Sequence, residues 1–262
     1  MKRQNFLLTS FGALAAASVP LGANANFLQP HDPLKALITA PDWAPYLDDF
    51  YATLQDPYGK HVWQKGRQTG FTEAIARAAL YLEQKGESVL VIAPDANQTE
   101  QISQRLETNR SEYHYGNILN PNSSGSIVLS PALSKYGWIS RNLDSSFKGS
   151  LHHRHFHAAF NRYMRVDLQW LKFTHVFIDE ALYIENKKLL KYMKMAPFVS
   201  LIGTPLIGTP ALTDLTDGSF PHIRGYQKHR IPAYLNKHYT IFLINNSGLN
   251  MANKFIAKKY WH

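Results

Sequence analysis

The chain has 262 residues, 45% of them hydrophobic, which leaves room for one large domain or two small ones and excludes a disordered polypeptide. Its 28 Lys and Arg against 19 Asp and Glu give a net charge of +9, a balance that suits a polyanion such as DNA or RNA as readily as it makes a basic but inert surface. Cysteine is absent, so disulfides and zinc–thiolate sites are excluded.

Residues 1–26 open with Lys2-Arg3, continue through an apolar stretch from Phe6 to Val19 and end in Ala23-Asn24-Ala25. That is the layout of a secretory signal peptide, and equally of an apolar helix that stays with the protein. It is similar to a twin-arginine export signal, except that the second arginine is missing. Export or membrane association is therefore open. After residue 26 no segment approaches the roughly 20 apolar residues that a membrane-spanning helix needs. Residues 27–60 form a lead-in with prolines at 30, 33, 41, 45 and 57 around a short helix in "APYLDDFYATL".

From there the chain alternates. "HVWQK" predicts a strand, residues 72–85 a helix, and "SVLVIAP" a second, buried strand bounded by Gly86 and Pro94. "NQTEQISQRLET", with Ile102 and Leu106 four apart, predicts a surface helix. "GSIVLSP", "THVFIDE" and "FVSLIGTP" predict three more strands, with helical "NKKLLKYMK" between the last two. "KHYTIFLIN" adds a sixth strand and residues 246–262 a closing helix. Residues 132–172 fit the pattern less well and read as an insertion or a long helical excursion. Leu201-Ile-Gly-Thr-Pro205 is repeated at once in residues 206–210, a local duplication too short for a solenoid. Short apolar strands alternating with helices predict an α/β fold of the P-loop NTPase type, a mainly parallel sheet with helices on both faces.

The first strand runs through "HVWQKGRQTGFT" into a glycine turn and then a helix, the place of a phosphate-binding loop. Such loops end Gly-Lys-Ser/Thr, the lysine neutralising phosphate and the hydroxyl sitting on Mg²⁺. Here Phe71 occupies the lysine slot, so the cation is displaced or the site is silent. Backbone N–H groups across Gly66, Arg67, Gln68, Thr69, Gly70, Phe71 and Thr72 make an anion cradle whatever the side chains. Lys65, at the strand end, is aimed over the loop; Arg67 lies inside it. Either can supply the charge. Thr72 then takes the Mg²⁺ hydroxyl role.

In an open parallel sheet ligands bind at the carboxyl ends of the strands. There the fourth strand presents Asp179, suited to holding Mg²⁺ through water, and Glu180, suited to deprotonating an attacking water. Alone, the pair reads equally as a helix start with acidic residues. The fifth strand ends in Gly203-Thr204-Pro205, whose hydroxyl can sense its neighbours. Taken in order these motifs predict ATP and Mg²⁺ as cofactors. The candidate catalytic residues are Glu180, Lys65, Arg67 and Thr204, residues 65–72 hold the nucleotide, and Thr72 and Asp179 hold the metal.

"APYLDDFYATLQDPYGKHVWQKGRQTGFTEA", "VLVIAPDANQTEQISQRL", "VFIDEA" and "LIGTP" together resemble the ATPase domain of the large terminase subunits of tailed phages, especially the lambda-like branch. The resemblance covers residues 43 to about 210 and includes Lys65 in that family's displaced-lysine position. It implies a motor in the host cytoplasm that hydrolyses ATP to push double-stranded DNA into a capsid. A homo-oligomeric ring meeting the portal or capsid and a small terminase subunit is implied with it. By position Lys65, Gly70 and Thr72 would hold nucleotide and metal, Asp179 Mg²⁺, Glu180 the water, and Thr204 would couple hydrolysis to movement. Residues 61–245 become the ATPase domain, with 132–172 inserted. The family's nuclease domain has clustered acids, whereas Asp214 and Asp217 are the acids after Pro210, so no nuclease is expected in this chain. Three other readings stay open: a helicase-like translocase, a hydrolytically inactive nucleic-acid or capsid-binding module, and an exported protein whose loop match is accidental.

"LHHRHFHAAFNRYMR" carries His152, His153, His155 and His157 with Arg154, Arg162 and Arg165. With Phe156, Phe160 and Tyr163 interleaved, it reads as a phosphate-contacting surface, a solvated face or, lacking any carboxylate, a poor metal site.

Overall fold

The computed structural model describes residues 32–115, 118–120, 123–142, 161–204, 221–232 and 235–236. The signal-like segment, the histidine run at 152–157, the second "LIGTP", the expected sixth strand and the closing helix lie outside the described residues. A 3₁₀ turn at Pro33–Ile38, capped by the Asp32 carboxylate on Leu34 N–H, leads into α1 (Leu47–Ala52). Then follow β1 (Lys60–Lys65), α2 (Phe71–Gln84), β2 (Ser88–Ala93), α3 (Ala96–Tyr115) and β3 (Ser126–Pro131). Next come β4 (Tyr136–Asn142), β5 (Asn161–Asp167), β6 (His175–Ile178), α4 (Asn186–Met193), β7 (Phe198–Gly203) and β8 (Gln227–Ile231).

The eight strands form one sheet in the order β5-β4-β3-β2-β6-β7-β1-β8. From β3 to β8 every pairing is parallel; β3–β4 and β4–β5 are antiparallel. Alternate residues of the central strands feed two cores, as the two-residue period of a strand requires. Trp63, Val89, Val91, Ile127, Phe177 and Ile202 pack under α1, α2 and α3. Val62, Leu90, Ile92, Val176, Ile178 and Leu201 pack with Leu189, Tyr192 and Met193 of α4. The fold is therefore the expected α/β class, with helices on both faces of a mainly parallel sheet.

Residues 132–172 were expected as an insertion or a long helical excursion. Their described parts hold β4, β5 and a 3₁₀ turn at Leu168–Trp170 and no long helix, and the two strands extend the sheet antiparallel at one edge. Edge strands with one open face carry polar residues, so the apolar run that marks a central strand is missing. The same reason hid β8, in which only Ile231 is buried. Helix α3 also runs beyond the apolar pair Ile102 and Leu106. Its polar half is held by tertiary contacts: Arg105 and Asn109 reach Glu73 at 2.9 and 2.8 Å, and Arg110 pairs with buried Glu83 at 2.6 Å. No helix among the described residues is long and apolar enough to cross a membrane.

Candidate active site

The chain leaves β1 at Lys65, and Gly66 N–H donates to Ile231 O of β8 at 2.7 Å. Two residues of the following turn have positive φ, Gln68 at 57° and Gly70 at 77°. Glycine adopts that conformation freely. A Cβ on Gly70 would also lie 2.7 Å from the Trp43 ring, so the indole needs this position bare. The Thr69 hydroxyl donates to Gly66 O at 3.0 Å, closing the loop on itself, while Tyr46 OH donates to Thr69 O at 2.9 Å and Asn236 Nδ2 to Gln68 O. The loop is thus braced from the lead-in as well as from within. Sequence reasoning assigned Trp43 and Tyr46 no role, although both stand in the segment that carries the family resemblance.

Helix α2 begins at Phe71, and its first-turn N–H groups have no partner within the helix. The Phe71 side chain turns away from the loop mouth into the core, its ring 5.3 Å from Phe50 and 5.6 Å from Trp63. Phe71 can therefore offer a ligand its backbone N–H and nothing else. Arg67 is exposed on the loop.

Strand β7 lies between β1 and β6, so Thr204, just past its end, stands between the residues that finish the other two. Lys65 Nζ lies 2.6 Å from Glu180 Oε1 and donates to Thr204 Oγ1 at 2.8 Å. The Thr204 hydroxyl in turn donates to Glu180 Oε1 at 2.8 Å, and Thr204 N–H to Oε2 at 3.2 Å. The three side chains close a triangle. Lys65 is buried, and its charge is matched by the one carboxylate it touches.

Beside the triangle, Thr72 Oγ1 donates to Asp179 Oδ2 at 3.1 Å, and Glu180 N–H donates to Asp179 Oδ1 at 3.0 Å. Burial pushes the Asp179 carboxyl above its ordinary value; the Lys65 ammonium opposes the rise and the Glu180 carboxylate adds to it. Glu180 itself sits at φ 47°, ψ 43°, a left-handed conformation that costs a non-glycine residue about 1–2 kcal/mol. Strain of this kind collects where a side chain must be aimed.

This arrangement fits a nucleotide with its metal. A hydroxyl and a carboxylate side by side at a helix start are oxygen donors of the kind Mg²⁺ takes, and a cation there would offset the burial that raises Asp179. Among the described residues no three His, Asp or Glu form a metal cage. Mg²⁺ does not require one, since it keeps waters and takes substrate oxygens. The N–H groups of the loop beyond Gly66 and of the first turn of α2 suit the anionic part.

No known family model matches the sequence, and no curated protein matches it. Among solved structures, the large terminase ATPase domain of Thermus phage P74-26 aligns at 13% identity and a TM-score of 0.40, covering 76% of this chain and 88% of that one. An arginine-to-alanine mutant of the same domain aligns at 12% identity and a TM-score of 0.40, covering 77% and 87%. A likeness this distant leaves the function to the chain's own geometry.

Proposed function

We propose that this chain is the ATPase core of a terminase-type motor, of the lambda-like branch, that uses ATP and Mg²⁺ to drive double-stranded DNA into a capsid. The observation that carries the ATPase half is the Lys65–Glu180–Thr204 triangle set beside the Thr72–Asp179 pair at the start of α2. Bound ATP with Mg²⁺ supplies the phosphoryl group whose transfer to water releases the free energy. The chain's residues bind and orient it. N–H groups from Arg67 to Thr72 would donate to phosphate oxygens, Gly66 N–H staying on Ile231 O, while Thr72 and Asp179 would hold the metal and Lys65 would supply the charge missing from position 71. Glu180 takes the proton from the attacking water. Because Thr204 bonds both Lys65 and Glu180, it reports to β7 any change in either, which is the coupling role.

The DNA half is supported by the net charge of +9 and by the sequence resemblance. With it come a homo-oligomeric ring, portal or capsid and small-subunit partners, and the host cytoplasm. One observation favours a second reading, a hydrolytically silent binding module: Lys65 is already engaged by Glu180 and Thr204, and no lysine stands at position 71.

ATP turnover with and without duplex DNA separates the two. The motor reading expects turnover that duplex stimulates and that falls at least about 100-fold in Glu180→Gln, the general-base loss, with a comparable fall in Lys65→Ala. Nucleotide binding without turnover in the wild type selects the silent module, and neither binding nor turnover sinks both. Unchanged turnover in Lys65→Ala would transfer the cation role to Arg67.

A further inference from the structure

We infer that the open face of the β4–β5 extension is a binding surface for single-stranded nucleic acid, with Trp138 as the base-stacking platform and Lys135 and Arg165 as the phosphate contacts. Tyr136 and Trp138 lie two residues apart and so share one face of β4, the face that also carries Leu129 of β3. The register sets Trp138 directly opposite Arg165 on β5. Farther into the sheet this face is covered by α3, which packs on β2 and β3. At β4 Trp138 is 42% exposed, and Lys135 and Arg165 are exposed beside it.

The two cations are gathered on one ring. The Arg165 guanidinium carbon lies 3.9 Å from the Tyr136 centroid and Lys135 Nζ 4.8 Å from it. Among the described residues the acid near them is Asp167, opposite Tyr136 in the register, and its Oδ1 already accepts from Gln169 N–H at 3.0 Å. Two like charges held against one ring beside an engaged carboxylate leave a local excess of positive charge. A phosphate would neutralise it.

The aromatic component decides which polyanion fits. A duplex keeps its bases stacked on one another and presents phosphates and base edges, so it can use the cations but not the indole. A single strand offers the flat face of each base, and an indole flanked by basic side chains is the arrangement on which unpaired bases stack. The sequence reading located a basic, aromatic surface in residues 151–165; of that run Arg165 is the residue whose side chain is described, and it belongs to this cluster. The inference goes beyond the motor reading and does not require it.

The test uses the full chain free of nucleotide, so its outcome is independent of ATP hydrolysis. Fluorescein-labelled oligothymidine of about 16 nucleotides, the upper site size of a single binding fold, is titrated by anisotropy while tryptophan emission is followed. The wild type is expected to bind with quenched emission, and Trp138→Ala to bind about tenfold more weakly without that quenching. Trp138→Phe, which keeps a ring, retains most of the affinity and separates lost stacking from misfolding. Arg165→Ala weakens binding and lowers the log–log salt slope by about 0.7, one single-strand phosphate contact. Wild-type affinity and slope in Trp138→Ala and Arg165→Ala would overturn the assignment. So would tighter binding of a duplex of equal length that ignores position 138, or capture by anionic phospholipid vesicles in place of the oligonucleotide.

Discussion

Strands β1, β6 and β7 carry polar residues at both ends, and the two ends treat them differently. At the carboxyl ends Lys65, Glu180, Thr204, Asp179 and Thr72 all find side-chain partners. Toward the amino ends, on the α2 face, His61 Nε2, Trp63 Nε1, His175 Nε2 and Ser200 Oγ are buried without a partner among the described residues. Rings surround these atoms, while the Nδ1 atoms of His61 and His175 meet His229 Nε2 at 3.2 Å and Thr174 Oγ1 at 3.0 Å. His229 stacks on Trp63 with centroids 3.7 Å apart, and both His61 and His175 lie against Phe198, at 5.7 and 4.8 Å. Burial pushes His61 down to about 4, with the neighbouring His229 adding to the fall, and burial also lowers His175 and His229. The lesson is that polar side chains at the carboxyl ends share partners with one another, whereas burial among rings favours neutral histidines toward the amino ends.

The strongest challenge to that contrast is to put a lysine where the usual motif wants one. Phe71→Lys removes a core ring and pushes an ammonium toward Phe50 and Trp63. It should cost about 3–5 kcal/mol, the range for losing a buried aromatic, with no gain in nucleotide affinity; urea unfolding and nucleotide titration check both. Gly70→Ala comes next. The required φ of 77° and the clash with Trp43 should lower stability by about 2 kcal/mol, read as a shift in the unfolding midpoint, and should weaken nucleotide binding by distorting the loop.

At the amino ends the probe is acid. His61 stays neutral in the folded chain down to about pH 4, whereas its unfolded value is the ordinary 6.5. Stability is therefore full above the ordinary histidine value and falls as pH drops from there towards 4, because the unfolded chain takes up the protons. Lowered His175 and His229 act in the same direction. Asp179 opposes them: its raised folded value gives a contribution that is present at low pH and lost as pH rises through it. His61→Gln should flatten the acid limb by up to one proton, about 1.4 kcal/mol per pH unit, in urea unfolding across that range. The smallest effect belongs to Thr204→Val, which removes the hydroxyl from the triangle while leaving Lys65 beside Glu180. About 1 kcal/mol of stability should go, one hydrogen bond's worth, with a larger proportional loss of turnover than of nucleotide affinity.

Much of this was readable in order along the chain. The apolar runs of β2, β3, β6 and β7 are buried on both faces and so announce themselves. The glycine loop, the Asp179-Glu180 pair and Gly203-Thr204 stand at strand ends, where a parallel sheet gathers ligands. The antiparallel pair β4–β5 and the edge strand β8 were not readable, because strands half open to solvent carry polar residues that mimic loops. The bracing of the loop by Trp43 and Tyr46 was hidden too, since no local spacing ties residues so far upstream to a turn.

The sequence by itself determined the α/β class, the helix that starts after Gly70, and the strand ends from which Lys65, Glu180 and Thr204 project. It left position 71 ambiguous between a lost lysine and a displaced one, and it kept Arg67 as an alternative to Lys65, which the strand end favours. Only the tertiary structure decided where these side chains go. Strand order is set by long-range pairing that local propensity does not encode, and it is the placing of β7 between β1 and β6 that brings Thr204 against both Lys65 and Glu180. The same packing sends Phe71 into an aromatic core where an ammonium would lose its hydration, and leaves Arg67 in solvent.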